Sequence, residues 1–181
     1  MKVFFLSDIH GSLPRLAAAL QQFEALDCDL LALGGDLLNY GPRNGLSEGL
    51  DAPAVAERLN ALADRIVAVR GNCDAEIDQM LLRFPMMADY AMIAVGKRRI
   101  MLTHGHLALP DAARMPAVDM IASGHTHLWA LERGADEPVR LNTGSITFPK
   151  GGCPPTFATM DDAGRVEVRT LAGETLKNIQ L

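Results

Sequence analysis

Val3-Phe4-Phe5-Leu6-Ser7-Asp8-Ile9-His10-Gly11-Ser12-Leu13-Pro14, followed by D-L-L-A-L-G-G-D at residues 29–36, decides the fold. Val3–Leu6 is a short apolar run that stops at a polar loop, as a buried strand does. Ser12 and Pro14 mark a helix start, and Leu13, Leu16, Ala17, Leu20, Phe23 and Leu26 repeat at helical spacing. Asp29–Leu33 reads as a second buried strand, closed by Gly34-Gly35-Asp36. Strand, amphipathic helix, strand is the signature of a parallel sheet with helices over it.

Working outward, the polar, Gly-rich stretch Asn39–Asp51 is longer than an ordinary connection, and such loops are usually functional or mobile. Pro53–Ala63 has helical periodicity, and Ile66–Val69 reads as a third strand running into Arg70-Gly71-Asn72. The pattern then changes. Tyr90–Val95 and Arg99–Thr103 flank Gly96-Lys97 as a hairpin would. Val118–Ala122, Leu128–Arg133, Val139–Leu141, Phe157–Met160 and Val166–Leu171 are short strand candidates, with a clear turn at Asp162-Ala163-Gly164. A second sheet against the first is therefore expected. One domain over residues 1–181 is the expected organisation, because the chain shows no repeat, low-complexity tract or linker.

Composition removes several function classes. Lys plus Arg is 17 against 22 for Asp plus Glu, a net charge of -5, and no basic stripe runs along the chain. Extended nucleic-acid binding is not expected from such a surface. Three cysteines (Cys28, Cys73, Cys153) without short-range pairing argue against a disulfide framework. The opening apolar run is too short for a signal peptide and is broken by Asp8, and no stretch approaches a membrane span. A cytoplasmic protein with no membrane partner is expected.

All five histidines fall in three short motifs. His10 lies in S-D-I-H-G, His104 and His106 in T-H-G-H, and His125 and His127 in G-H-T-H. Each motif follows a predicted strand, and Asp36 and Asn72 end two more. One histidine after a strand is usually a surface or capping residue. Five strand ends that together present Asp8, His10, Asp36, Asn72, His104, His125 and His127 supply seven oxygen and nitrogen donors, enough for two metal ions. Alternation in extended backbone is expected to put Asp8 with His10, and His125 with His127, on one side. Ligands in α/β sheets bind beyond the carboxyl ends of strands, where loops set residue choice.

The ordered set D-I-H, G-G-D, R-G-N, T-H-G-H, G-H-T-H resembles the calcineurin-like metallophosphoesterases, over Asp8 to about Gly144. The short chain, the G-N-C-D variant and the terminal N-T-G-S-I…P-K-G-G segment are most similar to the small bacterial YfcE-type branch. The resemblance implies a four-layer α-β-β-α sandwich, with two mixed β-sheets flanked by helices. It implies Asp8, His10, Asp36 and His127 around one divalent ion, and Asp36, Asn72, His104 and His125 around another, with Asp36 bridging. Donors without thiolate suit Mn, the preferred ion, or Fe, Zn, Ni or Mg. The implied reaction is phosphodiester hydrolysis by metal-bound hydroxide, with Asp36, Asn72 and His106 as catalytic groups. A small-molecule phosphodiester is the expected partner, and a homo-oligomer is compatible with the resemblance.

Two departures shape the substrate expectation. Many relatives carry His in G-N-H-D, assisting the leaving group, where this chain has Cys73. Phosphoprotein phosphatases carry Arg at the position of Tyr40, where it grips phosphate. Its loss deprives a monoester dianion of a charge-assisted partner worth ~1.5–3 kcal/mol, which favours a diester. Asn72, Cys73, Tyr40, Arg43 and His106 are the expected substrate contacts. Asp74 and Asn142 read as supports for the ligands and Ser7 as a local hydrogen-bonding residue. A phosphomonoesterase or phosphoprotein phosphatase is the alternative enzyme. A non-catalytic scaffold, like the retromer subunit that shares this fold, is the alternative class.

Overall fold

The computed structural model describes residues 1–109, 115–135 and 137–181. Two mixed β-sheets lie face to face, with flanking helices. The first sheet holds six strands: β1 (Lys2–Leu6), β2 (Leu30–Leu33), β3 (Ile66–Ala68), β9 (Thr156–Asp161), β10 (Arg165–Thr170) and β11 (Thr175–Gln180). Their order is β11-β10-β9-β1-β2-β3, with β1, β2 and β3 parallel and the rest antiparallel. The second sheet holds β4 (Tyr90–Val95), β5 (Arg98–Thr103), β6 (Met120–Ser123), β7 (Trp129–Glu132) and β8 (Val139–Thr143). Its order is β4-β5-β6-β8-β7, with β5, β6 and β8 parallel.

Alternation along the strands builds two cores. Val3 and Phe5, with Val166 and Val168 of the same sheet, pack against Ile100, Leu102, Met120 and Ala122 of the second. Phe4 and Leu6 face the helices, among Leu16, Ala19, Phe23, Val55 and Leu59. Phe4 stacks on Phe157 at 4.4 Å between ring centroids and meets Phe23 edge-on at 5.8 Å. Fully burying each such ring contributes ~1.5–3 kcal/mol. Helix α1 (Leu13–Ala25) and helix α2 (Ala52–Asn60) supply these apolar faces, and Asp51 caps α2 by accepting from Ala54 N at 3.0 Å. A 3₁₀ turn follows at Ala63–Arg65, and short α3 (Glu76–Leu81) lies beside the end of α2, with Leu81 O accepting from Asn60 Nδ2. Helices α1 and α2 pack on the outer side of the six-stranded sheet.

Pairing register sets the level of the strand ends. Leu6 pairs with Leu33, and Leu33 with Ala68, so β1, β2 and β3 release their chains at one height. In the second sheet Leu102 pairs with Ala122, and Ser123 with Asn142. The loop expected at Asn39–Asp51 is strapped down over this end. Ser47 Oγ donates to His10 O at 2.7 Å, Ser12 Oγ to Glu48 O at 2.6 Å, and Asp51 N to Gly11 O at 2.9 Å.

Candidate metal centre

The seven donors follow the ends of five parallel strands, three from one sheet and two from the other. Asp8 and His10 follow β1, Asp36 follows β2, Asn72 follows β3, His104 follows β5, and His125 and His127 follow β6. Asp8, His10, Asp36, His104 and His127 are buried, while Asn72 and the partly exposed His125 open toward solvent. The paired motifs do not share a face by extended alternation, as the sequence suggested. Asp8 (φ 57°), His10 (φ 50°), Asp36 (φ 55°), His125 (φ 67°) and His127 (φ 61°) all take left-handed backbone. Such conformations cost of order 1–3 kcal/mol each and persist where their surroundings hold them, typically at functional sites.

The holding contacts are specific. His10 Nδ1 donates to Asn39 O at 2.8 Å, His104 Nδ1 to Gly34 O at 2.7 Å, and His127 Nδ1 to Phe148 O at 2.7 Å. In the neutral ring, each bond leaves the lone pair on Nε2. Those Nε2 atoms point at one another and at carboxylates. His127 Nε2 lies 3.1 Å from Asp8 Oδ1 and 3.3 Å from His10 Nε2. Asp36 Oδ2 stands between His10 Nε2 at 3.7 Å and His104 Nε2 at 3.5 Å. Asn72 Oδ1 is 3.1 Å from His104 Nε2. The His125 ring lies beside that of His104, with centroids 5.1 Å apart.

Each carboxylate spends one oxygen on support. Asp8 Oδ2 accepts from Ser7 Oγ at 2.7 Å and His125 N at 3.0 Å, and Asp36 Oδ1 accepts from Cys73 N at 2.8 Å. Asp74 accepts from three backbone N–H groups, those of Asp36, Leu37 and Gly71. Asn142 holds the G-H-T-H loop by donating to Gly124 O at 2.7 Å. Glycine is required where the loops touch: a Cβ on Gly71 would sit 2.1 Å from Asp36 Oδ1, and one on Gly124 2.0 Å from Ser7 Oγ.

Burial opposes ionisation of Asp8, yet the His10 and His127 imidazoles outweigh it and hold the carboxyl below its usual range. Burial likewise presses on His10, but Asp8 and the Asn39 carbonyl prevail and raise it. His125 and His106 are pushed down by burial and by nearby imidazoles. The Cys73 thiol is pushed up to about 12, by burial first and then by Asp36.

A cavity of about 680 Å³ opens over the cluster, lined by Asp36, Asn72, Cys73, His125, His127 and Arg43 among others. Tyr40 and His106 are not part of that lining. The His106 ring sits beside those of His104 and His125, at 5.2 and 6.1 Å, and its buried Nδ1 has no partner. Lys150 lines the cavity although sequence reasoning passed over it. Its signal was the P-K-G-G segment, which follows β8, a sixth parallel strand end.

Residues 1–164 match the calcineurin-like phosphoesterase superfamily domain, and the chain belongs to that family. It is 46% identical over 165 residues to the phosphodiesterase YfcE of Escherichia coli K12, covering 90% of this chain and 88% of that protein. The solved structure of Yfce, described as a phosphoesterase from E. coli, matches with a TM-score of 0.90 at 43% identity over 99% of each chain. Vps29 of Cryptosporidium parvum shares the fold, with a TM-score of 0.68 at 18% identity over 99% and 98% of the two chains. The protein is a metal-dependent phosphoesterase. No described helix is long and apolar enough to cross a membrane.

The donor set fits the divalent ions such enzymes use. Asp8 Oδ1 is buried with no hydrogen-bond partner among the described residues and lies 3.1 Å from His127 Nε2 and 3.6 Å from His10 Nε2, a convergence of donor atoms that a cation would satisfy. Asp8, His10 and His127 can each offer one atom within 4.8 Å of the others, as can Asp8, Asp36 and His104. A third such group adds Cys73 to His10 and Asp36.

Proposed function

We propose that the chain is a cytoplasmic phosphodiesterase acting on a small-molecule diester, with its single domain spanning residues 1–181. Asp8, His10, Asp36 and His127 would hold one divalent ion, and Asp36, Asn72, His104 and His125 a second, with Asp36 shared. Manganese is the proposed ion. The observation that carries the phosphoester chemistry is the convergence of locked Nε2 and carboxylate lone pairs on one space beneath an open cavity. The ester type rests on the relative at 46% identity named as a phosphodiesterase. When bound, a pair of such ions supplies Lewis acidity and a nucleophile at neutral pH.

The chain's own groups do the rest. Asn72 turns Oδ1 toward the cluster and presents its amide at the cavity wall, where it orients a phosphoryl oxygen. The Asp74 carboxylate and the Cys73 N–H fix Asp36 from behind. His106 stands outside the lining against His104 and His125, so it positions those rings. Cys73, held as a neutral thiol, fills the wall without serving as a strong acid.

Arg43 and Lys150 in the same cavity favour a second reading, a phosphomonoesterase, because a dianion gains more from cations than a diester does. Turnover of bis(4-nitrophenyl) phosphate and 4-nitrophenyl phosphate by the Mn-loaded protein separates the two. The diester is expected to give at least a tenfold higher kcat/KM. An equal or faster monoester would overturn the diesterase reading.

A further inference from the structure

The cavity is larger than the reacting phosphate needs, and its two flanking cations are unclaimed. Arg43 is carried by the loop strapped to His10 O through Ser47 and to Ser12 through Glu48. Lys150 is held from another side of the site. Its backbone N donates to His127 O at 3.0 Å, and its carbonyl accepts from Cys153 N. Both side chains are exposed and line the cavity, and among the described residues neither takes part in an ion pair. Among the described residues, Asp36, whose free oxygen faces the imidazoles, is the only acid in the lining. Two cations fixed to the backbone of ligand-bearing segments, beside uncharged Asn39, Asn44 and Thr126, make an electropositive mouth that a neutral ester arm would leave unused.

We propose that Arg43 and Lys150 form an oxyanion subsite that takes a second anionic group, a carboxylate or phosphate, on the substrate arm that is not expelled. This rests on the phosphodiesterase reading and narrows it to diesters carrying an extra negative charge. The subsite selects substrate through binding, so its effect falls mainly on KM. Its strength is that of partly solvated ion pairs, roughly threefold per cation, and it weakens as salt rises.

The test uses three diesters with the same 4-nitrophenolate leaving group, whose other arm is phenyl, carboxyphenyl or phosphonomethylphenyl. The Mn-loaded protein is expected to prefer an anionic arm over phenyl by about tenfold in kcat/KM. Lys150→Met, Arg43→Met and the double variant are expected to bring that ratio stepwise toward one, with KM carrying the change. Comparing ratios between variants cancels any effect of the substituent on intrinsic reactivity. The carboxylate and phosphonate arms show which oxyanion the subsite holds better. A wild-type ratio near one, or a preference that survives the double variant, overturns the subsite while leaving the diesterase intact. Failure to hydrolyse any of the three diesters removes both.

Discussion

Asp36→Asn is expected to lower phosphodiester turnover by more than ~100-fold, beyond the 10–100-fold typical of losing an outer hydrogen bond to a metal ligand. The substitution preserves shape, and the remaining carbonyl can still accept from Cys73 N at the Oδ1 position. It removes the charge at Oδ2, the atom placed between His10 Nε2 and His104 Nε2. Under the proposed sharing of Asp36, both halves of the centre should weaken together. Metal content after dialysis and kcat/KM are the measurements. A variant that keeps wild-type metal content and more than a tenth of the activity would contradict the shared role.

Asp74→Ala is expected to cost about 3 kcal/mol of stability, from three backbone N–H groups that lose their acceptor at roughly 1 kcal/mol each. For a chain of this size that is a fall in Tm of about 6–12 °C. Turnover should fall as well, because two of those N–H groups, on Asp36 and Gly71, fix the loops that carry Asp36 and Asn72. Asp74→Asn should fall between. One amide oxygen at the Oδ2 position can keep the bonds from Asp36 and Gly71, but its NH2 would then oppose Leu37 N–H. Thermal unfolding followed by circular dichroism reads both variants. A Tm within about 2 °C of wild type for Asp74→Ala would show that these bonds are replaced by water.

Much of the site was legible because its donors are rare residue types placed after apolar runs. Five histidines confined to three motifs leave little else to read, and the strands before them are continuous enough to recognise. The elements that escaped lack those cues. β11 has the composition Thr-Leu-Lys-Asn-Ile-Gln and lies at a sheet edge, so only Leu176 and Ile179 mark it. α3 spans six residues, too few for a helical period, and is started by Asp78 accepting from Ala75 N at 2.8 Å. Helix α2 stops at Asn60, short of the expected Ala63, because the chain tightens into the 3₁₀ turn before β3.

Within the site, what stayed hidden was geometry. Asp8-x-His10 and His125-x-His127 share their targets through left-handed backbone, and nothing in an Asp or His residue announces a positive φ without the surrounding hydrogen bonds. The split of each carboxylate into a supported oxygen and a free one depends on Ser7, Cys73 and the loop at Gly124, which only the folded chain assembles. Of the expected contacts Tyr40 and Arg43, only Arg43 lines the cavity, joined there by Lys150, which the sequence reading passed over. The acidic balance of the whole chain therefore says little about the charge an ester meets at this mouth.

Two divalent ions in this cluster, both required for hydrolysis, are the core of the proposed function. The most direct measurement strips the protein with chelator and titrates Mn back, following bound metal by elemental analysis and bis(4-nitrophenyl) phosphate turnover on the same samples. Turnover that is absent without metal and saturates at about two ions per chain is the expected result. Saturation at one ion would contradict the shared centre, turnover that survives complete stripping would contradict the metal requirement, and no turnover at any metal loading would contradict the enzyme itself.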